Sequence, residues 1–190
     1  MIRYPLPLLG FSAFSGTGKT TLLTRLLPLL RAEGVRVGVI KHAHHSFDVD
    51  HPGKDSHVLR EAGAEQMLIA SRNRMALIRE FREPRDEPTL SETLDMLSPE
   101  HIDLVLVEGF KREQFPKIEL HRPMLGKPLL YPDDPDIIAI ASDRPLTQTR
   151  LPQLDLYQPH EIASFILEQI MHHCGSSQSA KLTTEESLAC

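Results

Sequence analysis

The sequence lacks the features of a disulfide-rich scaffold or a membrane protein. It has no tryptophan, aromatic residues make up only 5% of the 190 residues, and its two cysteines, Cys174 and Cys190, both lie near the carboxyl end. Two cysteines so placed define neither a disulfide framework nor a C-x-x-C metal spacing. Pro5 and Pro7 interrupt the apolar run at the amino end, and no window approaches the roughly 18 apolar residues of a membrane span. We therefore expect a cytoplasmic protein without a membrane partner.

The sequence also lacks an excess of positive charge. Its formal net charge is −5 at pH 7 with histidine neutral, so no general positive potential would attract nucleic acid. The arginine-rich run 72–85 is interleaved with Glu80 and Glu83 and followed by Asp86. We interpret this run as a solvated surface of mixed charge, with an RNA-binding patch as the alternative.

Strand and helix patterns alternate along the chain, which is typical of an α/β protein. Because aromatic residues are scarce, the core must consist of Leu, Ile, Val and Ala, which suits a mostly parallel sheet flanked by helices. Residues 66–70 and 75–81, joined by a polar turn, predict an additional antiparallel strand pair. Other predicted strands cover 6–14, 35–40, 103–110, 117–122 and 137–143, and predicted helices run from a glycine-rich loop to about Glu33 and over 57–64, 87–99 and 160–173.

Punctuating residues predict where these elements end. Pro28 predicts a kink or a break in the first helix, Gly34 its end, and Ser56 the cap of a second helix. Residues 175–190 show little periodic apolar pattern, which predicts a disordered tail. We therefore expect a single domain over residues 1–174.

The stretch AFSGTGKTTLLTRLL, residues 13–27, lies between a predicted buried strand and a predicted helix. Its two glycines permit positive φ, which turns successive backbone N–H groups inward, and the helix amino end adds further unpaired donors. The lysine can follow the β- and γ-phosphates, and the first threonine can ligate Mg²⁺. This pattern predicts a P-loop NTPase-like fold that binds a nucleoside polyphosphate. The predicted ligands are Ser15, Gly16, Thr17, Gly18, Lys19, Thr20 and Thr21.

The loop departs from the usual P-loop pattern at one position. Ala13 stands where the first glycine of the motif would fall. Alanine is compatible with the motif if its φ is negative, since the glycines that wrap the phosphate come later. The alternative is a helix start rich in glycine and threonine that binds nothing.

Acidic residues on two segments are candidates for metal binding and catalysis. Asp103 and Glu108 stand at opposite ends of one predicted strand, and ligands of open α/β sheets lie beyond the carboxyl ends of the strands. Glu108 is therefore the predicted Mg²⁺ acid, with a surface acid at a strand end as the alternative. In the loop after the second strand, Asp48 or Asp50 is a candidate to hold a metal-bound water or to position the attacking one, and we favour Asp50.

Five of the ten histidines lie within one short segment: His42, His44, His45, His51 and His57. Their spacing is irregular and no cysteine accompanies them, so a zinc site is only an alternative. We predict instead that Lys41 and His42 face the phosphates or a second anionic ligand. The base-reading N-K-x-D motif is absent, but Asp143 at a strand end is a possible acceptor for guanine N–H groups. A strand-capping acid is the alternative there.

Four segments together resemble one protein family. FSGTGKTTL, GVIKHAHHSFDVDHPGKDSHVLREAGA, DLVLVEGFK and IIAIASD, in this order, resemble the MobB family over about residues 8–170. The resemblance implies a GTP-binding P-loop protein with Mg²⁺, a homodimer, and at most weak GTP hydrolysis. It also implies assistance to a partner nucleotidyltransferase, MobA, which joins GMP to molybdopterin in molybdenum cofactor biosynthesis.

Carried over to this chain, the resemblance assigns residues 15–21 to the phosphates and Thr20 and Glu108 to Mg²⁺. Residues 41–55 would line the region of the nucleotide and the pterin phosphate. The preference for GTP over ATP depends on the resemblance alone. One alternative is a small-molecule kinase whose lid would use Arg72, Arg74, Arg79, Arg82 and Arg85; another is an interaction module whose nucleotide only orders a dimer.

Overall fold

A six-stranded parallel sheet forms the larger of two compact units. The computed structural model describes residues 2, 4–43, 47–147 and 149–171. The described residues up to His42 and from Thr89 onward form the sheet unit, and Ala43–Pro88 forms the hairpin unit. The predicted tail 175–190 lies outside the described residues, and a single domain over 1–174 stays a prediction.

The described residues contain eight strands and four α-helices. The strands are β1 (Leu8–Ser12), β2 (Val37–Lys41), β3 (Gln66–Ala70), β4 (Met75–Arg79), β5 (Leu104–Glu108), β6 (Lys117–His121), β7 (Ile137–Ser142) and β8 (Gln153–Asp155). The helices are α1 (Lys19–Ala32), α2 (Asp55–Glu61), α3 (Leu90–Leu94) and α4 (Pro159–Ile166). Short 3₁₀ turns cover Pro99–His101 and Pro123–Leu125, and a π-helical turn, Leu167–Met171, continues α4.

The order of strands in the large sheet is β2-β5-β1-β6-β7-β8, and every neighbouring pair is parallel. All six carboxyl ends therefore lie along one edge, which we call the carboxyl edge. The central strand β1 lies between β5 and β6, so the segments that follow these strands start next to one another. The predicted α/β fold with a mostly parallel sheet and an added antiparallel pair is confirmed.

The sheet is buried on both faces, which explains why its strands are continuous apolar runs. On one face, α1 and α4 pack with Leu9, Phe11 and Leu106, through side chains such as Leu26 and Ile162. On the other face, Leu90 and Leu94 of α3 pack with Leu8, Val105 and Val107. Because alternate residues of a strand face opposite sides, β5 contributes to both clusters.

Some predicted boundaries are wrong. The helix α1 runs through Pro28 without a break. Pro28 has no N–H to donate to the carbonyl of Thr24, but both residues are exposed, so water can hydrogen-bond that carbonyl instead. Ser56 lies inside α2, which begins at Asp55. The predicted helix 87–99 shrinks to α3, which starts at a capping box of Thr89 and Glu92.

The strand β8 was not predicted because its three residues, Gln153–Asp155, contain one apolar side chain. Gly34 does end the first helix: its φ is 80°, and Val35 N–H donates to Leu30 O at 3.0 Å, as in a Schellman motif. Among the described helices, none combines the length and apolar character that crossing a bilayer requires.

The hairpin unit contains α2 and the antiparallel pair β3–β4. The strands pair from Gln66 with Arg79 to Ala70 with Met75, as the sequence predicted. In this register Leu68 lies opposite Leu77, and both side chains are exposed. The unit therefore presents a two-stranded sheet with an uncovered apolar face among the residues described.

Candidate functional site

The loop between β1 and α1 has the backbone geometry of a phosphate-binding loop. Gly16 and Gly18 have φ of 80° and 103°, and Gly18 occupies the N-cap of α1. Thr17 is 2% exposed, and its hydroxyl donates to Phe14 O at 2.8 Å. The Thr17 side chain thus holds the loop together, so a phosphate would meet its backbone rather than its hydroxyl. Ser15 and Gly16 are exposed at the turn.

Lys19 lies in the first turn of α1, and its ammonium group is directed back across the loop. Its Nζ donates to Ala13 O at 3.4 Å. Burial lowers the pKa of Lys19; Glu108 opposes this effect, while Lys111 and Lys41 add to it. A bound polyphosphate would supply the counter-charge that the ammonium lacks. Phe110 is the only described non-glycine residue with positive φ, so Ala13 meets the condition set by the motif.

Glu108 ends β5 at the carboxyl edge, beside the loop. It is in register with Phe11 of β1 and with Lys41 of β2, and its Oε2 lies 4.0 Å from Lys41 Nζ. Asp103 precedes the same strand at the opposite edge, where Arg36 Nη2 lies 2.7 Å from Asp103 Oδ1 and holds the pKa of that carboxyl at about 2. The structure therefore places Glu108, rather than Asp103, beside the loop. Thr20 and Thr21 are exposed in the first turn of α1.

His42 packs against the segment that follows β5. Its backbone N–H donates to Glu108 O at 2.8 Å, and its ring stacks on Phe110 with centroids 4.5 Å apart. Between these residues, Gly109 has φ of 110°, and a Cβ added there would lie 2.5 Å from His42 Cβ. The close approach requires glycine at position 109. The backbone of His42 is thereby fixed next to Glu108.

Arg122, directly after β6, was missed by sequence reasoning. Its Nε donates to Thr17 O at 2.9 Å, inside the loop. Its Nη1 donates to Asp143 Oδ2 at 2.8 Å and to Tyr157 Oη at 3.0 Å. An arginine that immediately follows a strand at the carboxyl edge is the signal that would have drawn attention to it.

Asp143, directly after β7, lies at a cavity of about 380 Å³. The cavity is lined by the ends of β7 and β8 and by the start of α4, including Gln153, Tyr157 and Glu161. The Asp143 side chain is 7% exposed, and its Oδ1 is buried with no hydrogen-bond partner among the described residues. A buried acceptor without a donor is costly, so a ligand N–H group that reached Oδ1 from the cavity would relieve that cost.

Asp50 lies in the hairpin unit, where the structure gives it a different partner from the predicted metal. Arg60, which is 6% exposed, donates from Nε to Asp50 Oδ2 at 3.3 Å and also pairs with Asp48 and Glu80. The hydrogen bond from Arg60 is the largest cause of the lowered pKa of Asp50. Sequence reasoning missed this ion cluster, and the catalytic and metal roles of Asp50 stay predictions.

Two alternatives from the sequence concern the same unit. No three His, Cys, Asp or Glu side chains within the described ranges gather as a metal-binding group, and His44 and His45 lie outside those ranges. Of the arginines that a kinase lid would use, Arg82 donates to Arg60 O at 2.8 Å and Arg85 lies over the Phe81 ring. Both are therefore engaged within the hairpin unit.

Comparison with known proteins identifies relatives in sequence and in fold. The family model described as MobB, molybdopterin guanine dinucleotide synthesis protein B, matches residues 8–143. The chain is 45% identical over 171 residues to the molybdopterin-guanine dinucleotide biosynthesis adapter protein of Escherichia coli. The aligned residues cover 90% of this chain and 97% of that protein. It is also 45% identical over 168 residues to the adapter protein of the same name from Haemophilus influenzae, 88% and 91% of the two chains.

A solved structure described as molybdopterin-guanine biosynthesis protein B superposes on this chain with a TM-score of 0.66 and 28% identity. The superposition covers 86% of this chain and 99% of that one. The family model, the 45% identity to these adapter proteins and the shared fold all point to the same family. The chain belongs to the MobB family.

Proposed function

We propose that this protein is a GTP-binding adapter in the biosynthesis of molybdopterin guanine dinucleotide, with at most weak GTP hydrolysis. The observation that supports it best is the succession of features along the carboxyl edge. The phosphate loop follows β1, Arg122 follows β6, and Asp143 with its cavity follows β7. In the sheet, β6 separates β1 from β7, so these two strands lie about 10 Å apart. The sugar of a nucleotide would bridge that distance. Phosphates would thus lie on the loop and the base beside Asp143.

Residues at the loop fit a magnesium ion. Mg²⁺ prefers carboxylate and hydroxyl oxygens and keeps several waters, and Glu108 and Thr20 supply one oxygen group of each kind. When bound, the ion would neutralise charge on the β- and γ-phosphates. Lys19, Lys41 and His42 would face the phosphates or the phosphate of molybdopterin. The same chemistry assigns Thr21 to the α-phosphate.

The contacts of Arg122 support the proposal that hydrolysis is at most weak. Fast GTPases rely on an arginine at the γ-phosphate and on an oriented water. Here Arg122 is hydrogen-bonded to Thr17, Asp143 and Tyr157. We propose Asp50 for the attacking water on sequence grounds alone, and its ion pair with Arg60 would first have to open. The partner of the adapter would be the nucleotidyltransferase MobA, which attaches GMP to molybdopterin.

Titrations of GTP, GDP and ATP with and without Mg²⁺ test this function, with Glu108→Gln as the variant. We expect GTP to bind more tightly than ATP, and Mg²⁺ to strengthen the binding of GTP. Glu108→Gln should weaken the Mg²⁺ effect by about 10–100-fold, because an amide is a poorer ligand for the ion and its waters. Binding of GDP without Mg²⁺ should change little.

Asp103→Asn is the matched control, since Asp103 precedes the same strand at the opposite edge. It removes an ion pair but should leave the Mg²⁺ effect intact. If Glu108→Gln retains the full Mg²⁺ effect, another acid holds the ion. If GTP does not bind at all, the proposed function is wrong.

We also propose that the protein is a homodimer that uses the hairpin unit. A two-stranded sheet is marginally stable by itself, and exposed apolar strands favour association. The exposed fractions of Leu68, Leu77 and Met75 are 59%, 45% and 72%. These side chains share one face of β3–β4 in the observed register.

Leu68→Asp is expected to convert the dimer into monomers, because the charge would be buried without a partner at the interface. Sedimentation equilibrium measures the mass. Met124→Asp is the control, since Met124 is 76% exposed and lies in the sheet unit. A monomeric wild-type protein, or a Leu68→Asp variant that stays dimeric, would contradict this interface.

A further inference from the structure

Arg122 connects three segments of the carboxyl edge that are far apart in the sequence. Its Nε bonds the carbonyl of Thr17 in the phosphate loop, while its Nη1 bonds Asp143 and Tyr157 at 2.8 and 3.0 Å. The guanidinium carbon also lies 5.3 Å from the centre of the Tyr157 ring. The side chain is 22% exposed, so most of it is enclosed by these contacts. One planar group thus contacts both ends of the proposed nucleotide site.

At the loop, Arg122 restrains a flexible stretch of backbone. Thr17 lies between Gly16 and Gly18, both of which have left-handed φ. Glycine loses more conformational freedom on ordering than any other residue, so fixing the carbonyl between two glycines lowers the cost of ordering the loop around phosphate. The Nη2 group lies 3.8 Å from the position that a Cβ of Gly18 would occupy, close to the amino end of α1.

At the cavity, Arg122 orients a buried carboxylate. It bonds Oδ2 of Asp143 and leaves Oδ1 buried without a partner among the described residues. Guanine presents two neighbouring donors, N1–H and the 2-amino group, and adenine presents no such pair. A carboxylate held through one oxygen leaves the other without an internal donor, and these donors could satisfy it once neighbouring side chains shift to let them reach it. Without Arg122, the buried carboxylate would lose both its counter-charge and its fixed orientation.

We propose that Arg122 is a positioning residue that couples recognition of the guanine base to binding of the phosphates. The inference rests on the proposed function, since it requires GTP with its phosphates on the loop and its base at Asp143. The coupling passes through one side chain: the loop and the base acid are held in register because both are bonded to the same guanidinium. Tyr157 supports that guanidinium from the β8 side.

Calorimetric titration of GTP and ITP tests the coupling, because inosine lacks only the 2-amino group that Asp143 would bind. The wild-type protein should prefer GTP. Arg122→Ala should weaken GTP binding by about tenfold or more and bring the GTP:ITP preference close to one. Thr21→Ala should weaken both nucleotides equally, since it alters only a phosphate contact. Arg150→Ala removes an exposed arginine that does not line the cavity and should change neither.

The outcomes separate this inference from the function on which it rests. A wild-type protein that binds GTP and ITP equally would show that the base is not read at Asp143, and the proposed base site would fail. A wild-type preference that survives in Arg122→Ala would leave the base site standing and overturn the coupling. If Arg122→Ala does not fold, as judged by circular dichroism, Arg122→Lys replaces it. Lysine keeps the charge but cannot make the forked contacts, so the same loss of preference is expected, and its retention would overturn the proposal.

Discussion

Lys19→Ala is expected to weaken the binding of Mg·GTP by about 100-fold or more, while the protein stays folded. Within the described part of the chain, the Lys19 ammonium donates to the Ala13 carbonyl at 3.4 Å and is attracted by Glu108. Burial lowers its pKa, so the free protein gains little from this charge and should not lose stability when it is removed. Calorimetry with Mg·GTP gives the affinity, and the rise in Tm caused by GTP, which depends on binding to the folded state, should disappear.

Lys127→Ala is the matched control, because Lys127 is exposed and its Nζ lies 5.9 Å from the ring centre of Phe14, beside the loop. It should keep both the affinity and the Tm shift. Binding of GTP by Lys19→Ala at nearly wild-type strength would remove the phosphate loop from the proposal. If Lys19→Ala loses GTP but still assists the partner nucleotidyltransferase, the protein acts as an interaction module and the nucleotide is dispensable.

Asp143→Asn should change the base that the protein prefers from guanine to xanthine. In the proposed site the carboxylate would accept the N1–H and 2-amino donors of guanine, whereas an amide at the same place would offer an N–H to the 2-oxo group of xanthine. A site that hydrogen-bonds a polar group discriminates strongly against an analogue that leaves its partners unpaired. We expect GTP to bind about 100-fold more weakly and XTP to bind more tightly than it does to the wild type. Titrations with GTP, XTP and ATP measure the change.

Asp155→Asn serves as the comparison, because Asp155 ends β8 and lines the same cavity, while its Oδ1 accepts from the backbone of Tyr157 at 2.8 Å. It should keep the preference for guanine. If Asp143→Asn binds GTP as the wild type does and gains nothing for XTP, the base lies elsewhere. The phosphate loop would be unaffected by that result.

The parts of the site that the sequence predicted are those encoded by neighbouring residues. Gly16 and Gly18 indicate positive φ in the loop from the sequence alone. The apolar run of β5 has an acid at each end, and the direction of the strand shows that Glu108 is the one at the carboxyl edge. The fold class followed from the alternation of such runs. In contrast, β8 was missed because three residues are too short to give a hydrophobic pattern. The continuity of α1 at Pro28 could not be predicted, because it depends on which face of the helix is buried.

The contacts of Arg122 were beyond sequence reasoning for a different reason. It lies 105 positions from Thr17, 21 from Asp143 and 35 from Tyr157, and only the order of strands in the sheet brings them together. The ion cluster of Arg60 was missed as well, because an acid in a loop looks the same in the sequence whether it faces a metal or a buried arginine. Local patterns predicted the loop; pairing between distant segments completed the site.

The internal bonds of the phosphate loop have a consequence for how an adapter would report its nucleotide state. The Thr17 hydroxyl closes the loop on Phe14, and Arg122 fastens the carbonyl between the two glycines. A loop held by these hydrogen bonds would change conformation little when a nucleotide binds. A partner enzyme would therefore detect the bound nucleotide by contacting its exposed part directly, and not through a conformational change transmitted along the chain.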